Sequence, residues 1–313
     1  MSMGLHPSDP RRRDIVVAGL AAMTVSGAKA AGRPFFQRAG LPIGLQLYTL
    51  GEDAAKDLDG ALRAVAAIGY RTVELPGMLG RTPAQIRAAL DGAGLACTSA
   101  HVQLAGDLGK LADDLAAIGA TFAIAPSPYI PDRMDQRPAT GEGLGEWFRR
   151  VVSQMTADDW KRNGDFLNRQ AATLAQSGIR VGYHNHNVEF APLDGARPLE
   201  ILIRHTDPEL VTFELDVGWV AAAGVDPVEL LAAYKDRFSL MHIKDIKADT
   251  KPNFAMTMDP TEVGSGRLPW TTLLPAAYAA GVRNFYVERE PPFVRPRLEA
   301  ARMDYDYLAG LVA

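Results

Sequence analysis

His184, Asp216, His242 and Glu288 each end, or nearly end, an apolar and strand-like run: IRVGYH, VTFELD, FSLMH and FYVE. Each gap between them is long enough for a strand, a helix and two loops, the content of one βα unit. If these strands are parallel neighbours, all four side chains meet at one mouth of one sheet. Two imidazoles and two carboxylates gathered there form a candidate site for a divalent metal ion. That chemistry fits an enzyme better than a binding module.

Side chains alternate across a strand, which sorts the neighbours of these four. Glu214 shares a face with Asp216 but lies deeper, where it could support an imidazole. Asp216 itself reads as a ligand or as the cap of the next loop. Lys244 shares a face with His242; its ammonium could polarise a substrate oxygen, or pair with Asp245 at the surface. In YHNHNVE, His186 and Glu189 are placed to touch substrate, and His186 and Glu288 are the candidate proton-abstracting bases. Glu290 shares the parity of Glu288 and reads as a solvated loop charge or as a group that supports the site or touches substrate. Glu74 and His101 end two earlier strand-like runs and could line the same mouth. Tyr48, with Gln46, Trp219 and Trp147, could form an apolar wall for a sugar.

The elements that must position these residues repeat a short phrase, an alanine-rich helix ending in Gly and then a strand with a polar end. AAIGYRTVELPG, DGAGLACTSAH, AAIGATFAIAPS, AQSGIRVGYHNH and AAGVRNFYVERE all follow it. Gly just past a helix suits the left-handed C′ position. The repeat implies alternating βα architecture. Eight strands are expected: PIGLQLY, YRTVEL, ACTSAH, TFAIAP, RVGYHN, TFELDV, SLMHIK and NFYVER. Helices are expected over 53–68, 83–93, 108–118, 157–177, 227–234, 270–280 and 295–311, with a weakly patterned one at 198–205. Eight such units predict a closed (β/α)8 barrel, with an open doubly wound sheet as the alternative; in a barrel, function sits at the C-terminal strand ends. Two long loops, 126–156 and 248–269, read as lids or binding loops, or as loose insertions.

The chain has 313 residues, 47% of them hydrophobic and 22% charged, as in an ordinary globular protein with a large core. A net charge of -4 gives no electrostatic case for nucleic acid. Near the start, Arg11, Arg12 and Arg13 precede IVVAGLAAMTVSG and then Ala28-Lys29-Ala30. A basic stretch, a short apolar run and an A-x-A site describe a secretory signal, and the paired arginines suggest the twin-arginine variant. The apolar run of about 13 residues is shorter than the ~20 a spanning helix needs, so no membrane span is expected in the mature protein. The expected organisation is a signal over 1–30, a linker over 31–42 and one barrel over 43–313, working in the periplasm. The single Cys97 cannot form an internal disulfide and reads as a buried thiol.

The phrases GYRTVEL, YHNHNVEF, FELDVGWVAAAGVDP, HIKD and EVGSGRLPW together resemble the sugar phosphate isomerase/epimerase superfamily, which has the xylose isomerase-like TIM barrel, and within it the inosose dehydratase branch. The resemblance runs from IGLQLYTL to YVERE. It implies a divalent ion, commonly manganese or cobalt with zinc, ferrous iron or magnesium as alternatives, held by Glu, Asp, His and Glu at the ends of strands five to eight. Carried over, these positions are His184, Asp216, His242 and Glu288. Histidine therefore stands where many epimerases have one of two basic glutamates, and Trp219 stands where sugar epimerases tend to carry histidine. Both departures tilt the expected activity from two-face epimerisation toward elimination or hydration on a keto-sugar or 3-keto-glycoside, begun by removing a proton next to a carbonyl. An ordinary ketose epimerase or aldose–ketose isomerase, and a non-catalytic periplasmic sugar-binding protein, are the alternatives. The expected partner is a small carbohydrate; a homo-oligomer is left open.

Overall fold

Strands buried on both faces explain the near-continuous apolar runs of this sequence. A computed structural model describes residues 32–313, and the expected signal over 1–30 lies outside the described residues. The barrel strands are β1 (Gly44–Gln46), β2 (Thr72–Leu75), β3 (Ala96–His101), β4 (Phe122–Ala125), β5 (Arg180–His184), β6 (Val211–Asp216), β7 (Phe238–Ile243) and β8 (Asn284–Val287), and Asp245–Ile246 and Pro260–Thr261 form a separate short pair. Within the barrel every neighbouring pair is parallel, and β8 closes on β1 with Gly44 opposite Tyr286. Residues 33–313 form one compact unit.

Alternation divides each strand between two cores. Val181, Tyr183, Phe213, Leu215, Met241, Ile243 and Phe285 are buried among the surrounding helices. Inside the barrel, Ile124, Leu240 and Tyr286 fill the floor. Gly182 makes room there, because a Cβ at that position would lie 2.5 Å from Ile124 Cδ1. Above this floor the interior turns polar, with Gln46, Glu74, Ser99 and Glu214 all fully buried. The interior is thus apolar at one end and ionisable at the other.

The helices begin and end where their local chemistry dictates. Thr82 accepts from Gln85 N and, with Pro83 at the first turn, starts Pro83–Ala93. Asp226 does the same for Pro227–Ala233. The weakly patterned Pro198–His205 is a helix, with Leu199, Ile201, Leu202 and Ile203 buried. The helix expected over 53–68 is two pieces, Glu52–Lys56 and Leu58–Ile68, because Asp57 caps the second by accepting from Gly60 N.

Two segments depart further from expectation. Within 31–42, expected as a linker, Phe35–Ala39 is a helix with both phenylalanines buried and Phe35 N donating to Leu311 O at 2.8 Å. The long 126–156 loop contains the helix Leu144–Val152, whose Phe148, Val151 and Val152 are buried. Its irregular part is also tied down: Arg133 Nη1 donates to the buried Asp159 at 2.8 Å, and Trp147 Nε1 donates to Asp135 O at 3.1 Å.

Candidate metal centre and active site

The parallel register puts His184 beside Glu214 and Asp216 beside His242, so the ends of β5, β6 and β7 stand side by side. His184, Asp216, His242 and Glu288 are all buried, and each offers a ligand atom within 4.8 Å of the others. Asp216 divides its carboxylate between two tasks. Oδ1 accepts from Trp219 N at 2.9 Å and so caps Val217–Ala222, a helix that starts directly at the strand end. Oδ2 accepts no backbone N–H; it is buried and faces the Lys244 ammonium at 2.8 Å and the imidazoles. The cap and ligand readings of this residue are therefore compatible.

A second layer sits beneath. Glu214 Oε2 lies 3.1 Å from His184 Nδ1, 3.1 Å from His242 Nε2 and 2.9 Å from His101 Nε2. Glu74 Oε2 lies 2.6 Å from His242 Nε2 and accepts from Gln46 Nε2 at 2.8 Å. One nitrogen of each candidate ligand histidine is thereby engaged from below. The other nitrogens, His184 Nε2 and His242 Nδ1, face Asp216 Oδ2 at 4.0 and 3.7 Å. Carboxylates on the far nitrogen are how ligand histidines are oriented. With two such nitrogens and two carboxylates gathered within 4.8 Å, and an oxygen of Asp216 that no backbone donor fills, the donor set fits a divalent ion.

The electrostatics follow from this layering. Burial opposes charge on His242, but Glu214 and Glu288 outweigh it and push the imidazole well above its usual range. Burial likewise opposes charge on Glu214, yet the His242, His101 and His184 rings hold it well below the ordinary carboxylate value. Glu74 is raised, first by burial and then by repulsion from Glu214. His186 is lowered well below normal by burial, by His184 and by Lys244, which favours a neutral ring.

The remaining expected residues fall into groups. Lys244 is in the cluster: Nζ lies 2.8 Å from Asp216 Oδ2 and 2.6 Å from Glu288 Oε2. It makes no surface pair with Asp245, which is buried and holds the loop after β7 instead. Glu290, read as a solvated charge, is 3.2 Å from Lys244 Nζ and only 18% exposed. His186 packs edge-on against His184 and beside Trp219, with Phe148 of the long loop on it. Trp219 is a buried wall, its ring 5.3 Å from Lys244 Nζ. Tyr48 stands at the rim, 45% exposed. His101 stacks on His242 at 5.6 Å, and Glu74 is beneath both, so these two serve the inner layer rather than the open mouth. Glu189 does not reach the cluster: its oxygens are taken by Tyr183 OH at 2.8 Å and His186 N at 2.9 Å. It braces the β5 turn that carries His186.

Sequence reasoning missed Phe148 and Gly218. The first was legible in the helical spacing of Phe148, Val151 and Val152. The second had no sequence signal, since the side chain it accommodates, Lys244, arrives from the next strand.

Fold and site together define a parallel eight-stranded barrel with an ionisable cluster at its C-terminal mouth, the face where barrel enzymes act. The profile described as xylose isomerase-like TIM barrel matches residues 62–310, and the chain belongs to that family. It is 28% identical over 202 residues to an inosose dehydratase from Geobacillus kaustophilus, covering 61% of this chain and 63% of that protein. The chain thus matches less than two thirds of that relative's length. A solved sugar phosphate isomerase/epimerase from Parabacteroides distasonis superposes with a TM-score of 0.66 at 26% identity, covering 92% of this chain and 98% of the other. A xylose isomerase-like barrel from Mycobacterium smegmatis in complex with magnesium shares the fold, with a TM-score of 0.61 at 16% identity, covering 87% and 96% of the two chains.

Proposed function

We propose that this protein is a divalent-metal-dependent lyase of the isomerase/epimerase superfamily, which removes a proton next to the carbonyl of a keto-sugar, 3-keto-glycoside or keto-cyclitol and expels a β-oxygen. The observation that carries the proposal is the two-layer cluster, in which Glu214 orients His184 and His242 toward Asp216 and Glu288. Similarity to inosose dehydratase supports elimination as the outcome.

His184, Asp216, His242 and Glu288 would hold the ion. Bound there, a divalent cation would supply Lewis-acid stabilisation of negative charge on a substrate oxygen. His186, held neutral first by burial and then by His184 and Lys244, is the ring left free to accept the α-proton. Glu189 fixes its backbone, and Phe148 and Trp219 exclude water around its ring. The Lys244 ammonium is the donor suited to a substrate oxygen. Glu288 is committed to the proposed ion site, beside His242 at 2.8 Å, which leaves His186 as the free base. One base serves elimination from one face better than inversion across two. Export is part of the proposal, supported by the arginine-led signal-like segment, and it favours an unphosphorylated substrate.

The test is incubation with keto-cyclitols, free keto-sugars and 3-keto-glycosides in deuterium oxide, followed by NMR. Exchange at the carbon next to the carbonyl, with an unsaturated elimination product, is expected. Efficient ketose epimerisation without elimination would return the reading to an ordinary epimerase, and no exchange with any substrate would point to a binding protein.

A further inference from the structure

Lys244 carries its charge onto the same oxygens that an ion would need. The side chain is 1% exposed, with Nζ 2.8 Å from Asp216 Oδ2 and 2.6 Å from Glu288 Oε2. A third carboxylate, Glu290, places Oε1 at 3.2 Å and belongs to neither the ligand set nor the inner layer. The lysine is held closely in this position. A Cβ at Gly218 would lie 2.6 Å from Lys244 Cγ and 2.8 Å from Cδ, so only glycine leaves the stem its path. The Trp219 ring covers Nζ from a further side, at 5.3 Å. One ammonium thus touches three carboxylates, two of them candidate ligands and one not.

We infer that Lys244 is a built-in competitor for the ion, and that Glu290 is the acceptor that takes its ammonium when a divalent cation occupies Asp216 and Glu288. The inference rests on the ion site proposed above and adds the residue pair that sets how tightly that site holds its ion. Two cations drawn to the same pair of buried oxygens repel strongly, because the surroundings screen charge far less than water does. Removing the ammonium should therefore tighten ion binding. Neutralising Glu290 should weaken it, because the ammonium then has nowhere to go but back onto the ligands. Without the lysine, Glu290 should have little influence. Lys244 and Glu290 act here as positioning residues for the ligand carboxylates.

The test is calorimetric titration of the metal-stripped full chain with Mn2+, with circular dichroism as a check on folding. Lys244→Met should bind about tenfold tighter or more, and Glu290→Gln about tenfold weaker, on the scale of a screened like-charge pair. The double variant should match Lys244→Met alone. A merely structural role for the lysine would not produce opposite signs that cancel in the double variant. If Lys244→Met fails to fold, Lys244→Gln replaces it with the same expected sign. A well-folded lysine variant that binds no tighter, or a Glu290→Gln effect that persists without the lysine, would overturn the inference and leave the proposed function standing. An unsubstituted chain that binds no ion while Lys244→Met binds one would uphold the competition and refute the ion-loaded reading instead.

Discussion

Asp216 and Asp245 are both buried, at the ends of adjacent strands, yet their surroundings are opposite. Asp245 is saturated. Its Oδ1 accepts from Ile246 N at 2.9 Å and Leu268 N at 3.3 Å, and its Oδ2 accepts from Gly264 N at 3.0 Å, Gly266 N at 3.2 Å and Trp270 Nε1 at 2.8 Å. Asp216 accepts one backbone N–H on Oδ1 and leaves Oδ2 to imidazoles and an ammonium. A carboxylate whose lone pairs are filled by backbone donors organises a loop. A buried one left open toward nitrogen ligands can bind a cation, and an open oxygen in a dry place otherwise only costs stability. The contrast separates the scaffold of this mouth from its chemistry.

Asp245→Ala should have the larger effect on stability. It strands several buried donors at once, at a cost of at least about 3 kcal/mol, and frees the loop that carries Gly264 to Leu268. Asp216→Ala should cost less, because it removes a helix cap worth about 1 kcal/mol and leaves the Lys244 ammonium with Glu288 and Glu290 as partners. Urea unfolding of the two variants checks this, and equal losses would break the comparison.

A third buried aspartate sharpens it. Asp304 accepts from Val263 N at 2.7 Å and has no ion pair among the described residues. Burial pushes its carboxyl from the usual 3.8 up to about 7. A raised carboxyl pKa means the folded state binds more protons than the unfolded one between the two values, so Asp304 erodes stability as pH rises from about 4 to about 7. Asp304→Asn keeps an acceptor for Val263 N and should remove a slope of about 1 kcal/mol per pH unit across that window. Unfolding free energies measured at several pH values check the change. An unaltered slope would show that Asp304 is already ionised.

The barrel and the gathering of His184, Asp216, His242 and Glu288 at one mouth were legible because they depend on local rules. Gly-terminated helices marked each repeat, and an ionisable residue closing an apolar run demands a partner, as at Asp216 and His242. Strand parity also placed Glu214 below Asp216. The inner layer was less legible, since His101 meets Glu214 across the barrel, |i−j| = 113, and no local pattern encodes that pairing. Glu189 was harder to place because it lies past a strand end, where alternation stops and the turn decides direction, whereas Glu290 keeps the face that its parity with Glu288 implied. The helix at Leu144–Val152 was hidden behind a run rich in Pro, Gly and charge, although its apolar spacing was present. The supposed linker carried a signal too, the adjacent pair Phe35 and Phe36.

On the proposed function, the open cluster around Asp216, and not the saturated one around Asp245, holds an ion. The most direct test is metal stoichiometry by inductively coupled plasma mass spectrometry on the natural chain, Asp216→Ala and Asp245→Asn, each purified without chelator and shown to be folded. About one divalent ion per natural chain is expected, with loss of that ion in Asp216→Ala and its retention in Asp245→Asn. An ion-free natural chain, or an ion that survives Asp216→Ala, would contradict it.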